Sequence, residues 1–270
     1  MSLPITHSRG ATWFSALTGN QTPYTDYPAS LLVVDATLAG QLARFISIVP
    51  DSENRFPRVR NGEIGLVEGW SLARAVHEVI DADRDAARKR PIIAIVDVAS
   101  QAYGRREEAY GIHQALAGAA GAYAQARLAG HPVIALIVGK AMSGAFLAHG
   151  YQANRLIALN DPGVLVHAMG KAAAARITQR SVEDLEAFAA TVPPMAYDIA
   201  NYQTLGLLWR LLDGINAEAP GEEDLARVNA TLIAALADIE AETTRDLNSR
   251  QGGANRQASV RVRKMLSQQW

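Results

Sequence analysis

Residues 131–150 read HPVIALIVGKAMSGAFLAHG, and this stretch decides the fold. The apolar run Val133–Val138 predicts a strand buried on both faces, because no polar residue alternates with the apolar ones. A glycine-containing turn follows, and small residues indicate that a helix starts near Gly144. The backbone N–H groups of Gly144 and Ala145 would then lie at a helix N-terminus and need acceptors. The segment predicts either a backbone oxyanion hole or a junction at which small residues only allow close packing.

The same order of strand and helix recurs on both sides of this stretch. Continuous or β-branched apolar runs predict further strands at Ser30–Ala36, Ala43–Pro50, Pro91–Ser100, 154–162 and 163–170. Apolar residues at spacings of three and four predict helices from Glu68, over Glu107–Leu128, after an N-cap at Ser181, and from Leu225 to Ile239. This alternation is typical of parallel βαβ units, so we expect an α/β fold.

Composition and charge exclude several classes of function. The 270 residues carry a formal net charge of −1 and no cysteine. Disulfides, thiolate zinc sites and cysteine nucleophiles are therefore excluded, and nothing in the charge favours nucleic acid or an anionic membrane. The six histidines form no H-x-x-x-H or H-E-x-x-H pair, so no metal site is expected. With neither a secretory leader nor a membrane-length apolar run, we expect a cytoplasmic protein.

The chain divides into three parts by composition. Residues 1–30 show no periodicity and predict an irregular N-terminal arm, and residues 31–247 predict a single domain. Residues 248–270 form a basic tail without an acidic residue. That tail is expected either to be solvated or to pair with an acidic partner surface.

Ser143 is a candidate nucleophile in the turn. The G-x-S-x-G elbow of serine hydrolases is not met, because Ala141 and Ala145 stand at its glycine positions. The sequence does not show whether a base and an orienting acid reach Ser143, although four residues of suitable type are present: His149, His167, Asp97 and Asp161. A serine hydrolase therefore stays open as an alternative.

A second candidate region follows the predicted strand Pro91–Ser100. Ligands of α/β folds gather at the carboxyl ends of strands, where this chain has Tyr103, Arg105 and Arg106. Either arginine could hold a carboxylate or phosphate with two hydrogen bonds, or it could be surface charge beside two glutamates. His167, which ends another apolar run, is a further candidate.

Four segments carry a resemblance to a known family: RFPRVRNGEIGLVEGW (55–70), VDVASQAYGRREE (96–108), GKAMSGAFLAHGYQANRLIAL (139–159) and VHAMGK (166–171). Over residues 31–213 the chain resembles the acyl-CoA carboxyltransferase group. Over most of its length it looks more like the gamma subunits of biotin-independent malonate decarboxylase. The resemblance implies a crotonase-like (ClpP/crotonase) fold of the carboxyltransferase C-domain type, with stacked ββα units and C-terminal helices. Residues 31–247 would then be one crotonase-like domain.

The same resemblance implies a reaction and partners. Such a gamma subunit and a homologous beta subunit decarboxylate a malonyl thioester on an acyl carrier protein, which yields an acetyl thioester and CO2. An alpha subunit exchanges the acyl group. The prosthetic group is a modified dephospho-CoA on the carrier, so this chain is expected to bind no cofactor itself. Two alternatives remain, a non-catalytic partner that completes the beta subunit's pocket and a Clp-type serine peptidase.

Few residues carry the implied site. Carboxyltransferases have an Ala-aromatic-Gly-Gly-Ala run whose backbone amides face the biotin carbonyl, and residues 141–145 read Ala-Met-Ser-Gly-Ala. Gly144 and Ala145 match that run and are the expected oxyanion hole, whereas Ser143 departs from it and is expected only as a polar contact. The departure puts biotin binding in doubt. We expect the substrate to contact the remaining candidates, which are Tyr103, Arg105, Arg106 and His167.

Overall fold

The computed structural model describes residues 8–270. Its strands are β1 (Leu31–Leu38), β2 (Gln41–Ile48), β3 (Ile92–Val98), β4 (Val133–Met142), β5 (Arg155–Leu159), β6 (Leu165–His167) and β7 (Arg210–Leu212). Its α-helices are α1 (Arg9–Leu17), α2 (Leu66–Ala82), α3 (Arg105–Ala109), α4 (Ile112–Leu128), α5 (Ser143–Ala148), α6 (Lys171–Ile177), α7 (Val182–Ala189), α8 (Ile199–Thr204), α9 (Glu222–Glu240) and α10 (Gln257–Gln269).

The strands form one sheet in the order β1-β2-β3-β4-β5-β7, with β6 added on β4. Strands β1 and β2 are antiparallel and joined by Ala39 and Gly40, both with positive φ, as a tight hairpin requires. The other pairings are parallel, as the apolar runs predicted. The hairpin followed by α2 is a ββα unit of the expected kind.

Strand β4 pairs with different strands along its two halves. Ile134–Ile137 lies between β3 and β5, and the side chains of this half are fully buried. Beyond it, Lys140–Met142 pairs with β6, which places Met142 opposite His167. The carboxyl end of β4 is thereby held by backbone hydrogen bonds to a strand outside the main order of the sheet. The turn that follows β4 is fixed in position as a result.

Small residues let helices α2 and α4 approach closely. A Cβ built at Gly69 in α2 would lie 2.9 Å from the backbone carbonyl of Ala115 in α4, which is closer than van der Waals contact allows. Ala115, Ala119 and Ala122 are all buried along α4. Much of the alanine and glycine of this chain therefore serves helix packing.

The segment predicted as an irregular arm, residues 1–30, is helical in part, and residues 1–7 of it lie outside the described residues. Arg9–Leu17 is helix α1, capped by the Ser8 hydroxyl, which accepts from the Ala11 N–H at 3.2 Å. Trp13 and Phe14 are buried, and the indole N–H of Trp13 donates to the Ala217 carbonyl at 2.9 Å. The spacing of Trp13, Phe14 and Leu17 on one helical face indicates this helix, and the prediction of an irregular arm did not take it into account.

One further local prediction needs correction. The helix predicted over Glu107–Leu128 is divided into α3 and α4, because Gly111 lies between them with φ of 78°. The basic tail contains helix α10, none of whose residues is buried. The division of the chain at residues 31 and 247 itself remains a prediction. Within residues 8–270, no helix is both long and apolar enough to cross a membrane.

One histidine is built into the core beside the end of α5. His149 is fully buried, and its Nδ1 lies 3.0 Å from the Tyr123 hydroxyl while its Nε2 lies 2.9 Å from the Ile95 carbonyl. A carbonyl can only accept, so Nε2 carries the proton and Nδ1 accepts from Tyr123. Burial lowers the pKa of His149 to about 4, because the charged ring would lose its hydration.

We predict a pH-dependent stability from this histidine. The unfolded chain binds a proton near pH 6.5 and the folded chain only near pH 4, so the free energy of unfolding falls as the pH drops between these values. The loss from this one group is about 3 kcal/mol at most, at 1.36 kcal/mol per pKa unit. Urea denaturation at several pH values should show a flatter profile for His149→Gln than for the wild type.

The exposed residue His77 provides the matched control, His77→Gln, which should keep the wild-type profile. Equal slopes for the wild type and His149→Gln would contradict the prediction.

Candidate functional site

The turn at which β4 passes into α5, formed by Ser143–Ala145, is conformationally strained at its first residue. Ser143 follows β4 directly and has φ of 60°, in the left-handed region that costs a non-glycine residue roughly 1–2 kcal/mol. Its hydroxyl lies 2.5 Å from the hydroxyl of Tyr103, and either group can be the donor. Strain of this kind persists only where the surroundings over-determine it, and it is concentrated at functional sites.

The next residue, Gly144, has its backbone N–H occupied. It donates to the side-chain Oε1 of Gln101 at 2.9 Å. A Cβ at Gly144 would overlap that same Oε1 and lie 3.3 Å from Leu116 Cδ1, so only glycine fits without displacing Gln101. Ala145 is fully buried, and no side chain of residues 8–270 accepts from its N–H.

A cavity of about 340 Å³ lies beside this turn. Its lining is mostly apolar, and its polar residues come from the turn, from the end of β6 and from Tyr151 and Tyr202. The residues lining it are Ser143, Gly144, Phe146, Leu147, Tyr151, Val166, His167, Ala168, Pro194, Ala196, Tyr202, Leu205 and Leu207. An apolar cavity with a few convergent polar groups is typical of a small-molecule site.

His167 is a titratable group of this cavity, and the ordinary pKa of histidine lies near neutral pH. Its ring stacks on Tyr197 with centroids 3.9 Å apart. Nδ1 lies 3.0 Å from the carbonyl oxygen and 3.2 Å from the N–H nitrogen of Met169, so either tautomer finds a partner there. Burial lowers the pKa of His167, which keeps the ring neutral at pH 7.

The structure brings together most of the residues predicted for the site. Ser143, Gly144 and His167 line the cavity, and Tyr103 contacts Ser143. Arg105 and Arg106 are exposed at the start of α3, where they neither line the cavity nor hydrogen-bond to the turn. Their role in substrate binding stays a prediction.

Three of the four candidate base and acid residues are engaged elsewhere, and the fourth, His167, has its Nδ1 on the backbone of Met169 and not on an acid. Both ring nitrogens of His149 have core partners. Asp97 accepts from the backbone N–H groups of Gly10 and Lys140, at 3.2 and 3.1 Å, and Asp161 forms an ion pair with Arg9 at 2.8 Å. No base oriented by an acid therefore reaches Ser143 within the described chain, and the peptidase alternative is not supported.

Gln101 is the site residue that sequence reasoning missed. It lies three residues beyond β3 and reaches the β4–α5 turn by a contact across 43 positions of sequence. A lone glutamine in a loop carries no motif, so only the prediction that adjacent strand ends meet could have drawn attention to it. Among residues 8–270, no group of three or more His, Asp or Glu is placed to hold a metal ion.

Comparison with known protein families gives an independent result. The family model of the malonate decarboxylase gamma subunit matches residues 59–270. A malonyl-S-ACP:biotin-protein carboxyltransferase of Malonomonas rubra is 38% identical over 165 residues, which are 60% of this chain and 56% of the relative. The chain thus spans only about half the length of that relative.

Solved structures agree with this assignment. A Pseudomonas malonate decarboxylase hetero-tetramer in complex with coenzyme A contains a chain 66% identical, with a TM-score of 0.94, covering 97% of this chain and 100% of its own. The Pseudomonas MdcD-MdcE hetero-dimer gives 63% identity and a TM-score of 0.91, covering 98% and 100%. Transcarboxylase 12S, at 18% identity with a TM-score of 0.65, covers 93% of this chain and 45% of its own, and shares the fold alone.

These matches confirm the crotonase-like, carboxyltransferase-type fold expected from the sequence. The chain belongs to the malonate decarboxylase gamma subunit family.

Proposed function

We propose that this chain and a homologous beta subunit together decarboxylate malonyl-S-acyl carrier protein to acetyl-S-acyl carrier protein and CO2. The observation that carries the proposal is the strained Ser143–Ala145 turn beside an apolar cavity. The donors of this turn would hold the thioester oxygen, and the cavity would keep water from the reacting carboxylate.

The names of the relatives support the substrate and the partners. The Pseudomonas structures are of a hetero-dimer and of hetero-tetramers, one with coenzyme A and one with malonate. The Malonomonas relative is named for malonyl-S-ACP. By extension, the carrier with its modified dephospho-CoA arm and the acyl-exchanging alpha subunit belong to the proposal, as does the cytoplasmic location. That relative is also named for a biotin protein, whereas Ser143 in place of glycine argues against biotin binding here.

The chemistry needs stabilisation of one developing charge. When the bond between the carboxylate carbon and the methylene carbon breaks, its electron pair moves into the thioester as an enolate, and CO2 leaves. Charge then grows on the thioester oxygen, where one preorganised donor is typically worth about 2.7–4 kcal/mol. A proton added to the methylene carbon completes the acetyl thioester.

Two groups at the turn and cavity are suited to supply that proton. His167 lines the cavity, and its Nε2, which has no hydrogen-bond partner in the described part of the chain, would be the donor in the tautomer where Nδ1 accepts from the Met169 N–H. The hydroxyls of Ser143 and Tyr103, 2.5 Å apart, form a second candidate pair. His167 and Ser143 both line the cavity in which the enolate carbon would be bound, and Tyr103 contacts Ser143.

Helix α10 provides a surface for a partner subunit. Val262, Met265, Leu266 and Trp270 recur at spacings of three and four, and each is about half exposed or more. Apolar side chains in such a stripe are typical of an unpaired interface helix. The basic residues around the stripe suit an acidic rim on the partner.

We predict that Gly144→Ala slows decarboxylation by the reconstituted complex about 100-fold, because the added Cβ displaces Gln101 and crowds the donors of the turn. The measurement is kcat with a malonyl thioester. The matched control is Gly121→Ala in α4, where a Cβ meets open space, and this variant should keep wild-type activity.

If Gly144→Ala keeps its activity within an intact complex, the turn has no catalytic part. The alternative of a non-catalytic partner that completes the beta subunit's pocket would then be favoured.

We also predict that the double variant Val262→Asp, Leu266→Asp weakens association with the beta subunit at least about tenfold, because charge is placed on an apolar interface. Ser267→Asp with Gln268→Asp adds the same charge on the opposite face of α10 and should leave the affinity near that of the wild type. Titration calorimetry gives both affinities. Equal affinities for the two double variants would show that the apolar stripe is not an interface.

A further inference from the structure

The orientation of the Gln101 side chain is fixed by its contact with Gly144. A backbone N–H can only donate, so the atom that meets it at 2.9 Å must be the amide oxygen Oε1. The other end of the amide, Nε2 with its two N–H groups, necessarily points away from Gly144. The assignment of oxygen and nitrogen in a side-chain amide is often ambiguous, but for Gln101 this hydrogen bond decides it.

The Nε2 of Gln101 is an unused donor. No atom of residues 8–270 accepts from it, and the residue is only half-buried, so the group is accessible. Gln101 Nε2 is not one of the fully buried polar atoms that lack a partner. The oxygen of the same amide already accepts from Gly144, which lines the cavity, whereas the two N–H groups of Nε2 have no acceptor within residues 8–270.

The backbone around Gln101 is held as firmly as its side chain. Ile64 donates its N–H to the Ser100 carbonyl at 3.0 Å, and the Ala102 N–H donates to the Ile64 carbonyl at 2.9 Å. The Ser100 hydroxyl donates to the Gln101 carbonyl at 2.8 Å. Gln101 is thus held at its backbone and at Oε1 of its side chain, which is the condition for a preorganised donor.

A second contact joins the same two segments. Tyr103, two residues after Gln101, meets Ser143, the residue before Gly144. The loop after β3 and the turn after β4 are consequently joined by two side-chain contacts in parallel. Gln101 cannot turn away from Gly144 without leaving a backbone N–H unsatisfied, which typically costs about 1–3 kcal/mol if the group stays buried.

We propose that Gln101 is a catalytic residue whose Nε2–H donates to the thioester oxygen that becomes the enolate oxygen, while the Gly144 N–H holds and polarises the amide. The proposal rests on the decarboxylase function proposed above and changes its donor set. The Gly144 N–H acts through Gln101 instead of on the substrate directly. Accepting a hydrogen bond at Oε1 makes the N–H groups of the same amide stronger donors.

In the opposite interpretation, which we call the plug, Gln101 only occupies the Gly144 N–H until substrate binds. In that case its oxygen imitates the substrate oxygen and leaves when the thioester binds, which frees the Gly144 N–H. The two interpretations predict opposite results for one substitution. Gln101→Ala removes the donor in the first case and unblocks the oxyanion hole in the second.

The experiment uses the complex with the beta subunit, a malonyl thioester as substrate, and two variants of Gln101. Gln101→Glu keeps an acceptor for the Gly144 N–H and loses the donor, and Gln101→Ala loses both. We expect kcat to fall about 100-fold or more in each variant with KM changed little, since the missing bond forms in the transition state. Gln114→Glu on the exposed face of α4 is the matched control and should match the wild type.

Wild-type or higher kcat for Gln101→Ala would overturn the proposal in favour of the plug, and full activity of Gln101→Glu would overturn it as well. A change of Tm or of complex assembly in the Glu variant would be checked against the Ala variant, because the two alter packing in different ways. An inactive wild-type complex would count against the decarboxylase function itself. Failure of the function is thereby distinguished from failure of the Gln101 assignment.

Discussion

The backbone pairing of β4 is the constraint on which the rest of the structure depends. Its first half is hydrogen-bonded on both sides within the sheet, and its last three residues pair with β6. A strand held in both of these parts delivers its carboxyl end to one place, with little freedom left to the residues that follow. The strained conformation of Ser143 can persist because the strand before it cannot relax.

The site is assembled from the ends of neighbouring parallel strands. The loop after β3 supplies Gln101 and Tyr103, the turn after β4 supplies Ser143 and Gly144, and β6 ends in His167. Carboxyl ends of adjacent parallel strands meet at one edge of a sheet, so residues far apart in sequence become neighbours there. Nothing in this arrangement uses a thiolate, which fits a chain without cysteine.

Local patterns predicted most of the fold and part of the site. The apolar runs located β3 and β4, and the Ser181 hydroxyl does cap α7, accepting from the Asp184 N–H at 3.0 Å. The turn at Gly144 followed from a strand running into small residues. Helix α1 was missed although its apolar spacing was present, because its polar flanks resembled a loop.

Contacts between residues far apart in the sequence could not be predicted from it. The partner of Gly144 lies 43 residues away, and no pattern in either segment names the other. The same holds for His149, a candidate base by residue type whose ring nitrogens prove to be used by Tyr123 and Ile95. Residue type indicates what a group is able to do, whereas only its neighbours determine which role remains open to it.

The positive φ of Ser143 also constrains how this position can evolve. A left-handed backbone accepts glycine at no cost and small polar residues at moderate cost, but it penalises β-branched side chains heavily. Exchange between serine and glycine is therefore a single step that preserves the turn and only adds or removes a hydroxyl beside Tyr103. A scaffold with this property can acquire or lose a polar contact at the candidate site without rebuilding its main chain, so related chains can diverge there by a single substitution.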